Sequence, residues 1–394
     1  MCHFIGIDNS SSDHKVQVLD QEGNKRDAFT IQNNLSGFDN LDKRIQGYSE
    51  PIFGFELPHG PLVDFLHEKQ YSMYSLNPLK VKRFKEILTV SGNKNDKIDA
   101  LAIAEYLRKN KSQVREMQFN SSKIERLRTM MIIYERTVRN KARHLNKLHF
   151  AVKQYFPLHE GLFSAFGANI QLKLLSTYPI FAQLKAASDE ELTEFLIKNK
   201  YTKRSLIEKL LKKIRSYRQC ISPEVEFAYK FEVLSLCQII AVLNNELNEL
   251  AIGMKTIVDS HSLGKVFKSI PGSGDILSSK LLALFGDNKN RFNNYNDVQC
   301  LFGTAPRNYQ SGGYHKVMMR KACNKIARAI LYQHAFSSLR YCKWAREYYD
   351  KQRSRGKRHS VALRALSNKW VKVMYKIWKN EVLYSEEIKL RQVA

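Results

Sequence analysis

The sequence predicts an α/β domain at the N-terminus, followed by two long helices and a basic, mostly helical C-terminal region. Short apolar strands alternate with turns and helices up to about residue 115, and two later stretches of about 35 residues show helical spacing. Positive charge is concentrated after residue 120. The predicted domains are 1–115, 121–258 with a helical insertion at about 157–222, and 262–394.

The predicted strands of the N-terminal domain cover 4–8, 15–19, 27–31, 51–56 and 71–76, and the predicted helices cover 37–47 and 60–69. Three antiparallel strands followed by alternating helices and strands favour a sheet with mixed pairing.

Four acidic residues lie at strand ends of this predicted sheet or on the helix that follows it. Asp8 and Glu56 each end a strand, and Asp96 and Asp99 lie three residues apart on the following helix. Carboxyl ends of neighbouring strands meet in one crevice, so the four carboxylates are expected together. Such a set suits two Mg²⁺ ions in phosphoryl transfer, with Mn²⁺ as a substitute. Alternatively, Asp96 and Asp99 only cap their helix and favour its dipole.

The two long stretches, 121–156 and 223–258, predict helices of about 50 Å that pair as an antiparallel coiled coil. Their apolar stripes serve either intramolecular packing or dimerisation.

A Pro-Gly-Ser-Gly turn between two predicted helices, at 271–274, resembles a helix-hairpin-helix motif. Free backbone N–H groups at Gly272 and Gly274 predict contact with a DNA or RNA phosphate. The alternative is a tight turn that needs its glycines only for their backbone angles.

Ser311 precedes two glycines and is expected on a loop, with Arg307, Lys316, Arg320 and Lys321 near it in sequence. Cations beside a serine suit nucleophilic attack on a phosphate, although most Ser-Gly-Gly sequences are only turns. Residues 303–378 contain 18 Lys and Arg against Glu347 and Asp350, interleaved with aromatic residues. That mixture is typical of nucleic-acid binding.

The formal net charge of +26 indicates a polyanionic partner. Residues 1–120 contain 16 basic and 16 acidic residues, so the remainder carries the whole surplus. No apolar run approaches the ~20 residues of a membrane span, which favours nucleic acid over lipid. The six cysteines form no CxxC pair and no signal peptide is recognised, so a cytoplasmic protein with reduced thiols is expected.

The chain contains, in this order, Gly-Ile-Asp8, Phe-Glu56, Asn-Asp96-Lys-Ile-Asp99-Ala, Ile-Pro-Gly-Ser-Gly and Ala-Pro-Arg-Asn-Tyr-Gln-Ser311-Gly. This ordered set resembles the DEDD-type insertion-sequence transposases. These are relatives of the Piv DNA invertase and include bridge-RNA-guided recombinases of bacteria and archaea. The resemblance implies an RNase H-like, RuvC-like N-terminal domain, a coiled coil and a helical serine-bearing domain. The chain departs at Leu57-Pro58, in its long insertion, and in its tail beyond about residue 380.

The resemblance further implies that Asp8, Glu56, Asp96 and Asp99 bind Mg²⁺ and that Ser311 joins covalently to DNA. It implies a site shared between subunits of a dimer or tetramer, and a structured RNA that pairs with donor and target DNA. Two other functions stay open: a RuvC-like structure-selective endonuclease with a water nucleophile, and a nucleic-acid-binding scaffold with a degenerate acidic cluster.

Overall fold

The chain divides into two units, residues 1–119 and 120–394, in a computed structural model that describes residues 2–56, 58, 60–88 and 96–386. The finer division into three domains at 1–115, 121–258 and 262–394 stays a prediction.

The N-terminal unit is built on one five-stranded sheet. Its strands are β1 (His3–Asn9), β2 (Asp13–Leu19), β3 (Lys25–Gln32), β4 (Pro51–Phe55) and β5 (Ser72–Ser75), in the order β3-β2-β1-β4-β5. β1 pairs antiparallel with β2 and parallel with β4, while β2–β3 is antiparallel and β4–β5 parallel. The predicted mixed pairing is therefore confirmed.

Helices cover both faces of this sheet: α1 (Leu35–Ile45), α2 (Pro61–Glu68), α3 (Pro78–Leu88) and α4 (Asp96–Asn110). Ile5, Ile7 and Phe55 point into the core beneath α1 and α2. Phe4 and Ile52 lie on the opposite face, in the core that contains residues of α4. Strand residues thus alternate between two cores, as the two-residue period of a strand requires.

Helix α3 was not among the predicted elements. Its start carries two ordinary signals, since the Asn77 side-chain oxygen accepts a hydrogen bond from the Leu79 N–H at 2.9 Å and Pro78 is the first helical residue.

The C-terminal unit begins with α5 (Ser122–Tyr155), continues through α6 (Asn169–Thr177), α7 (Phe181–Ala186), α8 (Asp189–Lys198) and α9 (Arg204–Ser216), and returns along α10 (Pro223–Asp259). The start of α5 shares a core with the end of α10, and the end of α5 shares another core with the start of α10. The two helices are therefore antiparallel. Their bounds agree closely with the predicted ones, while interlocking coiled-coil packing stays a prediction.

The remaining elements are α11 (Gly264–Lys268), α12 (Asp275–Phe285), α13 (Tyr295–Leu301), β6 (Pro306–Ser311), β7 (Tyr314–Met319), α14 (Lys325–Ser338), α15 (Lys343–Ser354) and α16 (His359–Asn380). The helices pack around the buried rings of Phe285, Trp370 and Trp378. The region is mostly helical, as predicted. Within the described ranges, no helix is long and apolar enough to cross a membrane.

The antiparallel β6–β7 hairpin corrects the predicted loop around Ser311, which is instead the last residue of β6. Nearly every residue of the hairpin is exposed, so its sequence lacks the apolar alternation that identifies a half-buried strand.

Candidate functional site

Two predicted acidic residues lie at neighbouring strand ends of the N-terminal sheet. The β1–β4 register pairs Ile7 with Phe55, and Asp8 and Glu56 are the next residues of their chains. Since Ile7 and Phe55 point into the core beneath α1 and α2, the strand alternation directs Asp8 and Glu56 towards the face covered by α4.

Glycine at one position of β1 allows α4 to approach this face closely. A Cβ on Gly6 would lie 2.1 Å from the carbonyl oxygen of Ala100 and 2.5 Å from the amide nitrogen of Ala104. These distances are far below van der Waals contact, so only glycine fits at this position. Its register partner, Gly54, faces Ile103 and Leu107 of the same helix. The close approach places Asp99, in the first turn of α4, beside the two strand ends.

Glu56 experiences both burial and negative charge. Burial raises the pKa of its carboxyl group, and the charges of Asp8 and Asp99 raise it further, while the Lys85 ammonium group opposes the shift. Lys85 reaches this group from α3 and forms an ion pair with Asp99, in which both side chains are mostly buried, with 19% and 25% exposed. Three carboxylates and one lysine therefore share one electrostatic environment.

The donor chemistry of this group fits Mg²⁺, because carboxylate oxygens are the ligands that hard divalent cations prefer. The geometry is less complete: among the side chains that the structure describes, no three acidic, histidine or cysteine residues are arranged to hold a metal ion. Asp96 is the first residue of α4, and its side chain lies outside the described part of the chain.

Ser311 lies at the tip of the exposed β6–β7 hairpin, in the C-terminal unit. Residues opposite each other in an antiparallel pair share a face of the hairpin. The register pairs on the face of Ser311 are Ser311 with Tyr314, Tyr309 with Lys316, and Arg307 with Met318. The serine, two tyrosines and two cations thus line one face. The rings of Tyr309 and Tyr314 meet edge to face at 6.3 Å, and Gly312 turns the chain with a φ of 55°.

The other two predicted cations lie where β7 ends. Lys321 is exposed, whereas Arg320 is partly buried and lines a cavity of about 320 Å³ at the root of the hairpin. Its Nε atom is buried and makes no hydrogen bond within the described structure.

The Pro-Gly-Ser-Gly turn connects α11 to α12, as predicted. Gly272 has a φ of 83° and closely approaches the backbone of Ser338 of α14, whose neighbour Ser337 donates a hydrogen bond to the Gly272 carbonyl oxygen at 2.9 Å. Gly274 precedes the first turn of α12, and no side chain in the described part of the chain caps that turn. Gly272 is therefore required by its backbone angles and close packing, whereas Gly274 has an extended backbone with open space beside it. Both glycines line an open cavity of about 620 Å³.

Two residues of these sites are not indicated by any sequence pattern. Lys85 has no signal of its own in the sequence, because its place beside the carboxylates depends on how α3 packs against α4. Ser273, whose buried hydroxyl has no partner in the described structure, lies within the Pro-Gly-Ser-Gly turn itself. Its sequence context carried no separate signal.

Comparisons with known proteins match both parts of the chain. Residues 5–157 match a family model described as a transposase of the DEDD type, and residues 264–350 match the model "Transposase IS116/IS110/IS902 family". A Streptomyces coelicolor protein named "Mini-circle putative transposase for IS117" is 26% identical over 382 residues, covering 93% of this chain and 92% of its own length. The insertion element IS110 43.6 kDa protein of the same organism is 26% identical over 157 residues, covering 40% of this chain and 38% of its own length. The first match ends just after α5 and contains Asp8, Glu56, Asp96 and Asp99, and the second contains Ser311.

Proposed function

We propose, on the premise that the chain is a DEDD-type transposase of the IS110/IS116 family, that it cuts and rejoins DNA through Ser311 and a carboxylate-bound divalent metal. The observation that carries this proposal is the exposed hairpin, which presents a serine between aromatic and cationic side chains on one face.

An isolated two-stranded hairpin with exposed side chains gains little stability from a core, so its sequence serves another purpose. A two-stranded ribbon is narrow enough to enter the major groove of DNA. Arg307 and Lys316 would neutralise phosphates there, and Tyr309 and Tyr314 would contact sugars or bases. Ser311, at the tip, would be the first of these residues to reach a phosphate.

In the proposed reaction the Ser311 Oγ atom forms a phosphoester bond as the bond from that phosphorus to the leaving strand's oxygen breaks. Rejoining reverses the exchange with a new strand end. A covalent intermediate of this kind preserves the energy of the broken bond, so no nucleotide cofactor is required.

Mg²⁺, or Mn²⁺ in its place, would be held by the carboxylates of Asp8, Glu56, Asp96 and Asp99. The bound metal would supply positive charge to the reacting phosphate. The raised pKa of Glu56 is consistent with this role, because clustered carboxylates repel one another until a cation joins them. Lys85 supplies part of that positive charge in the structure described here.

The turn at 271–274 would hold a DNA or RNA phosphate away from the reacting bond. Among the described residues, none caps the N-terminus of α12 and none pairs with the Ser273 hydroxyl, which favours an anionic ligand. Lys268 and Tyr341 line the same cavity. Asp275 places a carboxylate nearby, but Lys255 and Lys268 lie 3.6 Å from it and balance its charge.

We further propose that a structured RNA selects the DNA and that subunits of a dimer or tetramer share the site. These two features rest on the family resemblance and on the basic surplus of the chain. In that assembly the carboxylates of one subunit would act with Ser311 of another.

A RuvC-like endonuclease is the second candidate, since the acidic group belongs to the N-terminal unit and Ser311 does not. In that case water would be the nucleophile. The two candidates differ in what remains attached to DNA after cutting.

A trapping experiment separates them. The protein is incubated with Mg²⁺ and DNA that contains the flanks of its own gene, then denatured, and covalent protein–DNA adducts are resolved on a gel. Ser311→Ala should lose the adduct and all strand joining, because the nucleophilic oxygen is gone. Gln310→Ala, its neighbour on the other face of the hairpin, is the matched control and should keep both.

Cut DNA without any adduct, equal in wild type and Ser311→Ala, would establish the nuclease instead. Glu56→Gln should remove cutting under either mechanism. If Glu56→Gln cuts as well as the wild type, the acidic group is not part of the site.

A further inference from the structure

A cavity of about 320 Å³ lies at the root of the β6–β7 hairpin, beneath the face opposite to Ser311. The hairpin provides Val317 and Met319, and helix α16 provides Val361 and Ala365. Val317 and Met319 are 59% and 42% exposed, which is high for apolar side chains that face a concave surface. Folding alone leaves this apolar surface uncovered, so it is available to a ligand.

The rim of the cavity is strongly cationic. None of its described lining residues is a carboxylate, and four are cations: Arg320, Lys357, Arg364 and Lys369. In the described part of the chain none of the four forms an ion pair. The Nε atom of Arg320 is buried and has no hydrogen-bond partner among the described residues. The Arg364 guanidinium lies 3.1 Å from the Met319 sulfur at the edge of the apolar floor.

An apolar floor beneath a cationic rim suits a ligand with a flat apolar part and a negative charge. We propose that this cavity binds one unpaired DNA nucleotide, with its base against Val317, Met319 and Ala365 and its phosphate against Arg320 and Arg364. Bases within a duplex are stacked on both sides, so a base reaches a concave floor only after leaving the stack. Tyr348, which also lines the cavity, offers an aromatic ring to the same base.

The position of the cavity would hold this nucleotide at a fixed distance from the reacting bond. Pro306 and Met319 form the first register pair of the hairpin, and Ser311 lies five residues further along β6, roughly 17 Å away. A nucleotide held at the root would fix the strand about five base-pair steps from Ser311, at ~3.4 Å for each step. The proposal rests on the proposed function in taking DNA as the ligand of the hairpin.

The test uses the full chain and a short single-stranded DNA with one 5-iodouracil, together with the same sequence as a duplex. Binding is measured by fluorescence anisotropy, and photocrosslinked peptides are identified by mass spectrometry. The variants are Arg364→Met, which removes a rim cation, and Ala365→Phe, which fills the cavity without changing charge. Lys343→Met, an exposed cation outside the cavity, is the control for a charge change.

The wild type should prefer the single strand, and both cavity variants should weaken its binding by about fivefold or more while duplex binding stays nearly constant. Crosslinks should map to Tyr348 or Met319. Lys343→Met should weaken single strand and duplex equally, by a smaller factor.

Three results would overturn the proposal. The first is equal loss of single-strand and duplex binding in Arg364→Met, and the second is crosslinking only outside the cavity, for example at Tyr341. The third is exclusive occupation of the cavity by RNA of the same sequence or by an acidic peptide. A Ser311→Ala protein should still bind and crosslink the oligonucleotide, so a failure of the serine chemistry and a failure of the cavity are distinguishable.

Discussion

The Lys85 ammonium group contacts Asp99, and its charge opposes the rise in the pKa of Glu56. A lysine in this position partly neutralises the carboxylates in the absence of a metal ion. The same lysine would compete with a divalent cation for Asp99, because both require the carboxylate oxygens. The proposed metal binding at this group would therefore require Lys85 to give up its ion pair.

Replacing Lys85 with Met should strengthen metal binding for this reason. The half-saturating concentration of Mn²⁺ or Mg²⁺, measured as the increase in thermal unfolding temperature, should fall about fivefold, which corresponds to the loss of an ion pair of roughly 1 kcal/mol. The metal-free variant should unfold at a lower temperature than the wild type, because the carboxylates then repel one another without compensation.

Lys82→Met is the matched control, since Lys82 is an exposed lysine on the same helix. It should leave the metal dependence unchanged. An unchanged or weaker affinity in Lys85→Met would mean that Lys85 does not compete for the metal.

At the level of single residues, the sequence located Asp8 and Glu56 correctly at strand ends because the apolar runs before them are unambiguous. It did not locate Lys85, whose relevance depends on how α3 packs against α4. Lysine near carboxylates in space leaves no periodic pattern in the sequence. Arg320 and the cavity residues of α16 are likewise brought together only by the tertiary fold.

At the level of secondary structure, α4 depends on Gly6 to lie against the sheet. Gly6→Ala places a Cβ 2.1 Å from the Ala100 carbonyl oxygen and 2.5 Å from the Ala104 amide nitrogen. Both are backbone atoms of α4, which cannot move aside as the end of a flexible side chain could. The helix must shift away from β1, and Asp99 shifts with it. We expect the N-terminal unit to lose about 3 kcal/mol or more of unfolding free energy and the Mg²⁺-dependent stabilisation to disappear.

Gly47→Ala provides the comparison, because a Cβ there would lie 3.6 Å from the Arg44 carbonyl oxygen, an ordinary contact. Chemical denaturation of both variants, with and without Mg²⁺, measures the two effects. Wild-type stability in Gly6→Ala would contradict the close approach of α4.

Elements with strong periodicity were predicted well, and elements without it were not. The long helices α5 and α10 agree with their predicted bounds within two residues, since their apolar stripes run for many turns. The β6–β7 hairpin was missed because nearly all of its side chains face solvent. An exposed hairpin is stable here through its own hydrogen bonds and its attachment to the helical core, neither of which the sequence pattern records.

At the level of the whole molecule, charge is divided between the two units. The first 120 residues are neutral overall, and the remainder carries the surplus of 26 positive charges. Nucleic acid should therefore bind mainly to the C-terminal unit, and its affinity should fall steeply with salt.

If a structured RNA selects the DNA, a single discrete RNA should accompany the protein when it is purified at low salt from cells that contain its gene and flanks. Sequencing of the bound RNA measures this, and RNA bound to an unrelated basic protein from the same cells is the control. A heterogeneous mixture, equal to that of the control, would assign target choice to direct contacts between the protein and DNA.

The most direct measurement for the account as a whole is the chemical identity of the residue attached to DNA. Trypsin releases residues 308–316 as one peptide, which contains Ser311 together with Tyr309 and Tyr314 on the same face. Tandem mass spectrometry of a nuclease-trimmed adduct distinguishes these three hydroxyl groups. We predict a nucleotide phosphoester on Ser311; a nucleotide on either tyrosine, or cut DNA with no modified peptide, would contradict the proposed serine chemistry.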